Sequence, residues 1–456
     1  MRLLVECNHI YEHPGHNSGI QRVVRNILSG LSRIKENTDT VPVILKYNKI
    51  YEVKQMIPEN YVMYLGNRLV YLLIRAREFY LSYCKRSERT WLFCTSSFLR
   101  RGLLVLFKIG DLPFRFFILV ISCLCRMGEV GSRIVQLDVK SDDVLILLDA
   151  SWHQDFLDQV EAQKITKRIA IVSVVYDVIP LSHPQFCTDR LVTVFQHWFQ
   201  WASQISDGFM AISETTRNHV QSYVLRGNVE NKPQDQWFDY FHLGSELDLS
   251  KQNDEVRDHV QKFFQRDDPV YLMVGTIEPR KNHGYLLDAF DLLWHSGLKI
   301  NLCFVGKAGW KCAEILKRIR NHREYNRRLF MFNDLSDTEL DYCYRKSRSL
   351  VLPAFAEGFG LPMVEAMRRG LPVMASDIPV FREVGGDFVA YFNLDSPETL
   401  SELVRQYEKD GEFPSMKKLK EWSWLTWENS ARQFLTKILF HVNSHHIGEN
   451  IRSQSE

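Results

Sequence analysis

The sequence predicts an α/β protein made of two doubly wound, Rossmann-like domains. Three observations support this prediction. The chain has 456 residues, which is more than a single hydrophobic core usually serves. Its second half alternates short, continuous apolar runs with helix-length segments, as expected for a parallel sheet covered on both faces. Its first half repeats this alternation more loosely, so we expect a second sheet of the same kind.

Six apolar runs in the second half have the length of strands. They are Val270–Val274, Ile300–Val305, Leu329–Phe332, Ser349–Leu352, Pro372–Ala375 and Val389–Phe392. Segments with helical spacing of apolar residues lie between them, at Gly284–Trp294, Ala313–Ile319, Asp337–Tyr344 and Leu361–Arg369. We therefore predict a doubly wound domain over residues 249–420, with ligands at the carboxyl ends of its strands.

The first half contains five further apolar runs of strand length. They are Leu3–Val5, Val41–Leu45, Val144–Leu148, Ile169–Val175 and Gly208–Ile212. Helices are predicted at Gln21–Ile34, Asp189–Ile205 and Glu214–Val224. The predicted first domain covers residues 1–248 and is joined to the second through the polar stretch Ser245–Asp254. Residues 421–456 are expected to form a helix that packs back toward the first domain, followed by a polar tail.

Residues 68–133 break the alternation of the first half. They carry twelve Lys or Arg against four Asp or Glu, a formal charge of +8, so the rest of the chain carries −6. Bulky apolar residues are interspersed with these cations, as in the run of residues 116–120 that follows Arg115. We predict a helical insertion that rests on an anionic membrane surface, since such mixtures suit the interfacial plane. Ordinary core helices with a solvated basic face are the alternative.

The overall composition excludes several classes of protein. The formal charge of +2 at pH 7 gives no reason to invoke a nucleic-acid partner, and the 45% hydrophobic fraction is that of a globular protein. The nine cysteines are scattered without a Cys-x-x-Cys pair, which argues for a reducing compartment and against structural zinc. The longest apolar stretch, Phe116–Cys125, is too short to span a bilayer. We expect a cytoplasmic protein, at most peripheral on the inner face of the cytoplasmic membrane.

The loop after the predicted strand Ser349–Leu352 has the features of an anion site. Glycines flank Phe359 at the start of a helix, and free amides around Gly358–Leu361 at the positive helix end favour an anion. Glu357 lies beside this turn and Glu365 about one turn into the helix, and a carboxylate can accept two hydrogen bonds from a vicinal diol. For this stretch alone, a strand–turn–helix without a ligand is the alternative.

The loop after strand Val270–Val274 places two cations side by side. Arg280 and Lys281 stand in the segment Gly275–Asn282, where the next helix opens. This is the position that a diphosphate would occupy in a doubly wound domain. A solvated Arg–Lys pair is the alternative when the segment is considered in isolation.

Together these segments resemble glycosyltransferase family 4, a family of retaining enzymes with the two-domain GT-B fold. The matching residues are Gly275–Asn282, Val305–Lys307, Glu357–Gly360 with Glu365 eight positions after Glu357, Gly370–Val373, Ser376–Asp377 and Phe381–Val384. The resemblance covers the C-terminal half in order and in spacing. It implies two facing domains with a deep cleft between them.

The resemblance also implies roles for individual residues. Glu357 would contact the hydroxyls of the transferred sugar, and Glu365 would bind the ribose diol. Lys281, with Arg280, would hold the diphosphate and stabilise charge on the departing nucleotide. The donor-binding set is completed by residues that supply amides or line the donor pocket: Gly358, Phe359, Gly360, Leu361, Thr276 and Lys307. Because Thr276 stands where family members commonly carry Arg, the number of cations on the diphosphate stays open.

The first half matches the family more narrowly. The segment from Ser18 to Val23 resembles the glycine loop that faces the donor phosphates, which assigns Gly19 to donor binding. Residues 175–181 resemble a His-Asp-Leu-Ile-Pro-Leu segment, but Tyr176 replaces the His, so no catalytic His is carried over. Asp177 is a candidate catalytic carboxylate at the end of a strand, with the capping of a turn as the alternative.

The function implied by the resemblance is transfer of a hexose with retention of configuration. The segments look most like bacterial mannosyltransferases of O-antigen or capsule assembly, which favours GDP-mannose as donor and a polyprenyl-linked or growing surface polysaccharide as acceptor. The sequence contains no Asp-x-Asp, so we expect no metal and no cofactor. UDP-, dTDP- and GDP-deoxy-sugar donors stay open, as do a GT-B-like phosphorylase or epimerase and a non-catalytic protein that binds sugar nucleotides.

Overall fold

The structure is a computed structural model of the chain, and it contains two mainly parallel sheets. It describes residues 1–13, 19–34, 38–55, 69, 72, 73, 76, 77, 80, 110–121, 134–227, 232, 233, 235–247 and 255–453, with side chains as far as residue 444. The predicted insertion at 68–133 lies largely outside the described residues. Within it, residues 110–121 form a helix.

The first sheet has eight strands in the order β4-β3-β2-β1-β5-β6-β7-β8. Their bounds are Arg2–Glu6 (β1), Asp39–Lys46 (β2), Lys49–Val53 (β3), Ile134–Gln136 (β4), Val144–Leu147 (β5), Ala170–Val175 (β6), Gly208–Ala211 (β7) and Trp237–Tyr240 (β8). The strands from β2 to β8 in this order are parallel, whereas β3 pairs antiparallel with both β2 and β4. All five predicted strands are present. The short strand β3 and the edge strands β4 and β8 were not predicted.

The second sheet has six parallel strands in the order β11-β10-β9-β12-β13-β14. Their bounds are Val270–Val274 (β9), Asn301–Val305 (β10), Leu329–Phe332 (β11), Ser349–Leu352 (β12), Val373–Ser376 (β13) and Ala390–Phe392 (β14). The six predicted strands are confirmed. Every residue of β9 and β10 is buried, because helices cover both faces, and this is why these strands are continuously apolar.

Helices flank both sheets. They are Asn8–Glu12 (α1), Gly19–Arg33 (α2), 110–121 (α3), Gln154–Lys167 (α4), Ile179–Ser182 (α5), Asp189–Ile205 (α6), Glu214–Arg226 (α7), Asp258–Phe264 (α8), His283–His295 (α9), Ala313–Arg320 (α10), Asp337–Lys346 (α11), Leu361–Arg368 (α12), Pro379–Gly385 (α13), Pro397–Asp410 (α14) and Trp427–Ser453 (α15). Local sequence fixes several starts. Ser213 caps α7 by accepting from the amide of Thr216, and Ser336 and Glu339 form a capping box on α11. Among the described residues, none of these helices is both long and apolar enough to cross a bilayer.

The last helix, α15, follows the second sheet in sequence but packs on α2 of the first. Its apolar side contributes Ala431, Phe434, Leu435 and Ile438 to one core that also contains Val24 and Ile27. Gly30 of α2 lies against it so closely that a Cβ there would come within 2.6 Å of the Ala431 Cβ. This contact joins the C-terminal segment to the first sheet.

The chain crosses from the first domain to the second after Glu246 and returns near Trp424, and these two segments lie side by side. Trp424 Nε1 donates to the carbonyl oxygen of Leu243 at 2.8 Å. The amide of Trp427 donates to the Glu246 carboxylate at 2.7 Å, and its indole donates to the Glu246 carbonyl at 2.9 Å. A Cβ at Gly244 would lie 2.6 Å from the Trp427 nitrogen, so the two segments touch through their backbones.

Candidate active site

Loops at the carboxyl ends of both sheets meet in the middle of the molecule. The loop after β12 carries Gly358, whose position leaves no room for a side chain, because a Cβ there would lie 2.1 Å from the carbonyl oxygen of Tyr176 after β6. A second contact across this boundary is made by Trp310, whose Nε1 donates to the Phe186 carbonyl at 2.8 Å. Ligands of doubly wound sheets bind at these strand ends.

Glu357, Arg280 and Lys281 form one buried charge cluster, as the two loops of the second sheet come together. One carboxylate oxygen of Glu357 lies 2.8 Å from Nη1 of Arg280, and the other contacts Nζ of Lys281. The backbones are tied as well, since the amide of Phe355 donates to the Arg280 carbonyl at 2.8 Å. The sequence prediction that these three residues share a site agrees with this geometry.

The electrostatics of this cluster keep Glu357 ionised. Burial by itself raises the pKa of Glu357, but the charges of Arg280 and Lys281 outweigh it and lower the pKa to about 2. Burial lowers the pKa of Lys281, and the charge of Glu357 opposes this shift. The carboxylate pairs with both cations and cancels one of their two positive charges. A negatively charged ligand that replaced Glu357 as their partner would find two cations held in place.

Glu278 is a second carboxylate in the cluster, and we gave it no role from the sequence. Its Oε1 lies 2.7 Å from Nε of Arg280, while Oε2 is buried without a hydrogen-bond partner among the described residues. Burial raises the pKa of Glu278, with the charges of Arg280 and Lys281 opposing. The arrangement orients the Arg280 guanidinium between two carboxylates. Its position two residues before Arg280 was the sequence feature that could have identified Glu278 as a member of the cluster.

Asp177 lies at the same boundary, on the loop after β6. Its Oδ1 accepts from the amide of Ile179 at 3.0 Å, so it does cap the short helix α5. Burial raises the pKa of Asp177, and the charge of Arg280 opposes that effect most strongly. Its Cβ is 3.1 Å from where a Cβ of Gly358 would stand. Both alternatives weighed for Asp177, capping and facing the site, are therefore compatible with its position.

The turn from Gly358 to Leu361 has the geometry of a helix-start anion site. Gly360 adopts φ +95°, a left-handed conformation that favours glycine, and a Cβ there would lie 2.8 Å from the Phe381 ring. Pro362 occupies the first turn of α12. First-turn amides of a helix have no acceptor within the helix. The Phe359 side chain is buried, so this residue can reach a ligand only through its backbone.

Glu365 is buried within α12 and already has two partners. Its Oε1 accepts from Nη2 of Arg22 at 2.6 Å, and its Oε2 accepts from the Tyr344 hydroxyl at 2.8 Å. Arg22 lies on α2, a helix of the first domain, and Gly19 begins the same helix. Arg22 lies within the segment from Ser18 to Val23, for which only Gly19 was assigned to donor binding. Its pairing with Glu365 depends on the arrangement of the two domains, for which the sequence carries no local signal.

Thr276 and Lys307 are exposed on two loops that lie against each other. The amide of Ile277 donates to the Lys307 carbonyl at 2.9 Å. The approach is close, since a Cβ at Gly306 would lie 1.9 Å from the carbonyl oxygen of Gly275. Both side chains are therefore available to a ligand. Neither is in the charge cluster around Glu357.

Glu383 joins the two halves next to this site. It accepts from the amides of Glu214 at 2.7 Å and Thr215 at 2.8 Å, from the Thr215 hydroxyl at 2.6 Å, and it contacts Nε2 of His242 at 2.8 Å. A carboxylate of α13 thus caps α7 of the first sheet. We had noted Glu383 only as part of a matching motif.

No cluster of three or more His, Cys, Asp or Glu able to hold a metal ion is found among the residues that the structure describes. Arg280, Lys281 and the turn amides are the groups suited to an anionic ligand. The five cysteines that can be assessed, Cys7, Cys187, Cys303, Cys312 and Cys343, are free and buried.

Comparison with known proteins gives a family, relatives and a fold. Residues 254–423 match the model of the family described as "Glycosyl transferases group 1". The serotype-specific mannosyltransferase WbdA of Escherichia coli is 33% identical over 317 residues, which cover 68% of this chain and 38% of WbdA. The O-antigen chain mannosyltransferase B of Escherichia coli is 33% identical over 167 residues, covering 36% of this chain and 43% of the relative. The chain therefore spans less than half the length of these relatives.

Among solved structures, the sucrose-phosphate synthase of Thermosynechococcus elongatus resembles this chain with a TM-score of 0.55 at 14% identity. The similarity covers 97% of this chain and 99% of the other. A likeness over the full length at this identity concerns the fold alone. The predicted architecture of two Rossmann-like domains is confirmed.

Proposed function

Because this chain belongs to the glycosyl transferases group 1 family, we propose that it is a retaining mannosyltransferase that uses GDP-mannose. The observation that carries the proposal is the convergence of Arg280 and Lys281 on Glu357 at the boundary of the two domains. The proposed acceptor is a growing or polyprenyl-linked surface polysaccharide. The relatives named mannosyltransferases support the sugar and the O-antigen relatives support the acceptor.

The charge cluster can perform the first half of such a reaction. A nucleoside diphosphate would replace Glu357 as the partner of Arg280 and Lys281, and the two cations would stabilise the negative charge that develops as the sugar departs. Glu357, freed from one or both cations, would accept hydrogen bonds from hydroxyls of the transferred sugar. The amides at the start of α12 would add donors to the phosphates.

The second half is attack of the acceptor hydroxyl from the side on which the diphosphate leaves. The departing phosphate can take the proton of that hydroxyl, so a separate base is optional. Asp177 is the carboxylate on the opposite side of the boundary, and we assign it to the acceptor or to the sugar. Closed domains exclude the water that would otherwise hydrolyse the donor.

A thermal-shift panel tests the donor. GDP-mannose is expected to raise the melting temperature, and to raise it further as its concentration exceeds the dissociation constant, whereas UDP-, ADP- and dTDP-sugars should not raise it at the same concentration. Incubation with an acceptor should then transfer the sugar with release of GDP. Stabilisation by UDP-sugars alone would remove the mannose assignment, and phosphorolysis or epimerisation of the bound sugar would identify an enzyme of another class.

We further propose that α3 rests on an anionic membrane. Four of its large apolar side chains are mostly exposed: Leu112 (60%), Phe116 (61%), Phe117 (53%) and Leu119 (64%). Asp111 is the acidic residue of this helix. It forms ion pairs with Arg115 of the same helix at 2.6 Å and with Arg77 at 2.5 Å, so its charge is neutralised. Apolar side chains beside cations suit the lipid interface, where each Lys or Arg contributes about 1 kcal/mol.

Liposome cosedimentation tests this surface. Binding should require anionic lipid, weaken with salt and fall when Phe116 and Phe117 are both replaced by Ser. Phe440→Ser is the matched control, because Phe440 is equally exposed (66%) but lies on α15. Failure of the unaltered protein to bind liposomes of any composition would rule out the proposal.

A further inference from the structure

Arg22 and Glu365 form an ion pair between the two domains. Nη2 of Arg22, on the second turn of α2, lies 2.6 Å from Oε1 of Glu365 on α12. The side chain of Glu365 is 2% exposed and that of Arg22 is 17% exposed. This contact is remote in sequence and connects the first domain to Glu365, the carboxylate that the resemblance to glycosyltransferase family 4 assigns to the ribose.

The pair leaves one strong donor unused. Nε of Arg22 is buried and has no hydrogen-bond partner among the residues that the structure describes. A buried N–H of a charged group without an acceptor costs free energy, so its presence calls for an explanation. A ligand oxygen is the simplest one, given that the partner of Arg22 is a proposed ligand-binding residue.

The chemistry of a ribose diol calls for both an acceptor and a donor. Each hydroxyl donates one hydrogen bond and can accept others. Glu365 as a carboxylate can only accept, and its Oε2 already receives the Tyr344 hydroxyl at 2.8 Å. A guanidinium can only donate, and it holds five N–H groups in a fixed fork. Arg22 and Glu365 together therefore offer what a vicinal diol needs on its two sides.

We propose that Arg22 is a donor-binding residue, which donates to a ribose hydroxyl while Glu365 accepts from the same diol. The inference rests on the proposed function, since it takes a nucleoside diphosphate as the ligand. Because Arg22 comes from the first domain and Glu365 from the second, the ribose would be bound by both. Arg22 would then distinguish ribose from deoxyribose and couple donor binding to the contact between the domains.

A competing explanation predicts the opposite change in nucleotide affinity when Arg22 is replaced. If Arg22 only occupies Glu365 until the donor arrives, its removal frees the carboxylate, and nucleotide binding becomes tighter. If Arg22 contacts the ribose, its removal weakens binding of GDP but affects an analogue without the ribose hydroxyls much less. The comparison of two ligands therefore separates the two explanations.

The experiment measures dissociation constants of GDP and 2′,3′-dideoxy-GDP by calorimetry for the unaltered protein, Arg22→Gln and Arg22→Lys. Arg33→Gln is the control, since Arg33 lies on the same helix and is exposed. Arg22→Gln should weaken GDP about tenfold, the loss expected for one hydrogen bond to a charged group, and should weaken the dideoxy analogue less than threefold. Arg22→Lys, which keeps the charge without the fork, should recover part of the loss for GDP.

Equal or tighter binding of GDP to Arg22→Gln overturns the inference, and so do equal losses for GDP and its dideoxy analogue. Thermal unfolding without nucleotide checks that each variant is folded, and Arg22→Lys carries the same comparison if the Gln variant is not. If the donor panel selects UDP instead, UDP and its dideoxy analogue are used. An unaltered protein that binds none of the nucleoside diphosphates contradicts the proposed function itself, and with it this inference.

Discussion

The hydroxyl of Ser213 donates a hydrogen bond of 2.8 Å to the carbonyl oxygen of Gly358. Ser213 caps α7 of the first domain and Gly358 follows the proposed sugar-binding Glu357 of the second, so this bond connects the two strand-end loops directly. The Thr216 hydroxyl reaches the same oxygen at 3.2 Å. Gly358 is thus fixed through its carbonyl on one side and is packed against Tyr176 on the other.

Gly358→Ala should keep both domains folded but prevent their present contact. The new Cβ would lie 2.1 Å from the Tyr176 carbonyl oxygen, and backbone cannot move as easily as a side chain. We expect transfer to fall at least tenfold and the radius of gyration in solution scattering to increase. Gly284→Ala is the control, because its Cβ would meet only the end of Arg318, at 3.8 Å. A Gly358→Ala protein with normal transfer would show that this contact is dispensable.

Lys281→Ala should abolish most transfer without unfolding the chain. It removes one of two cations assigned to the diphosphate, and loss of such a charge-stabilising group costs about 10²–10³ in rate. Steady-state release of GDP measures the effect. Lys317→Ala removes an exposed cation from α10 of the same domain and should leave the rate unchanged. Near-normal turnover in Lys281→Ala contradicts the phosphate role.

Glu357→Gln should separate binding from transfer. In the structure Glu357 pairs with Arg280 and Lys281, and a neutral side chain would remove this shared ion-pair partner while Arg280 keeps Glu278. GDP should therefore bind at least as tightly as to the unaltered protein, while transfer falls by about 10² because the hydroxyls of the sugar lose a charged acceptor. Calorimetry with GDP and the transfer assay are made on the same sample. Parallel losses in both measurements would argue against separate roles for the carboxylate and the cations.

Glu383→Gln should weaken the connection between the domains. Glu383 accepts from two amides, one hydroxyl and His242, and hydrogen bonds to a charged group contribute about 1.5–3 kcal/mol each. We expect a lower melting temperature and a larger radius of gyration without nucleotide. Glu402→Gln, an exposed site on α14, serves as the control. Unchanged scattering would show that other contacts hold the domains together.

The buried carboxyl group of Glu6 should make the stability of the folded chain depend on pH. Its carboxylate is fully buried at the end of β1, where it accepts from the Asp149 amide at 3.0 Å and the Ser151 hydroxyl at 3.0 Å. Burial, and then the charge of Asp149, raise its pKa from 4.5 to about 8. Between these two pH values the folded chain holds a proton that the unfolded chain releases.

The contribution of Glu6 to the free energy of unfolding should therefore fall as pH rises from 4.5 to about 8, by at most about 1.4 kcal/mol per pH unit for one proton. Glu6→Gln cannot titrate, so its free energy of unfolding should lack this fall. Chemical denaturation across the window measures the slope, with the exposed Glu12→Gln as control. Equal slopes for Glu6→Gln and the unaltered protein would show that Glu6 does not hold the proton.

The sequence was most informative where burial leaves a periodic pattern. Strands such as Val270–Val274 are buried on both faces, so their apolar runs could be found without a structure. The strands Lys49–Val53 and Ile134–Gln136 are short and partly exposed, and they left no comparable pattern. The motif residues Glu357, Arg280 and Lys281 could be grouped because parallel strands place their following loops at one edge of a sheet.

Contacts between the domains could not be derived in the same way. Arg22 pairs with Glu365 at a separation of 343 residues, and Glu383 meets Thr215 at a separation of 168. Neither pairing follows from a local pattern, because each depends on how one domain lies against the other. Glu278 is intermediate, since its neighbour Arg280 was assigned to the diphosphate with Lys281 but the carboxylate two positions before it was not considered.

The two paired chain segments around Leu243–Glu246 and Trp424–Trp427 define where the domains can pivot. Because both covalent connections run together and are bonded to each other, one hinge axis through this pair serves both. Sliding of one domain along the other would have to stretch two connections, whereas rotation about the pair bends them in place. Loops far from this axis would then move most for a given change of backbone angles near Gly244.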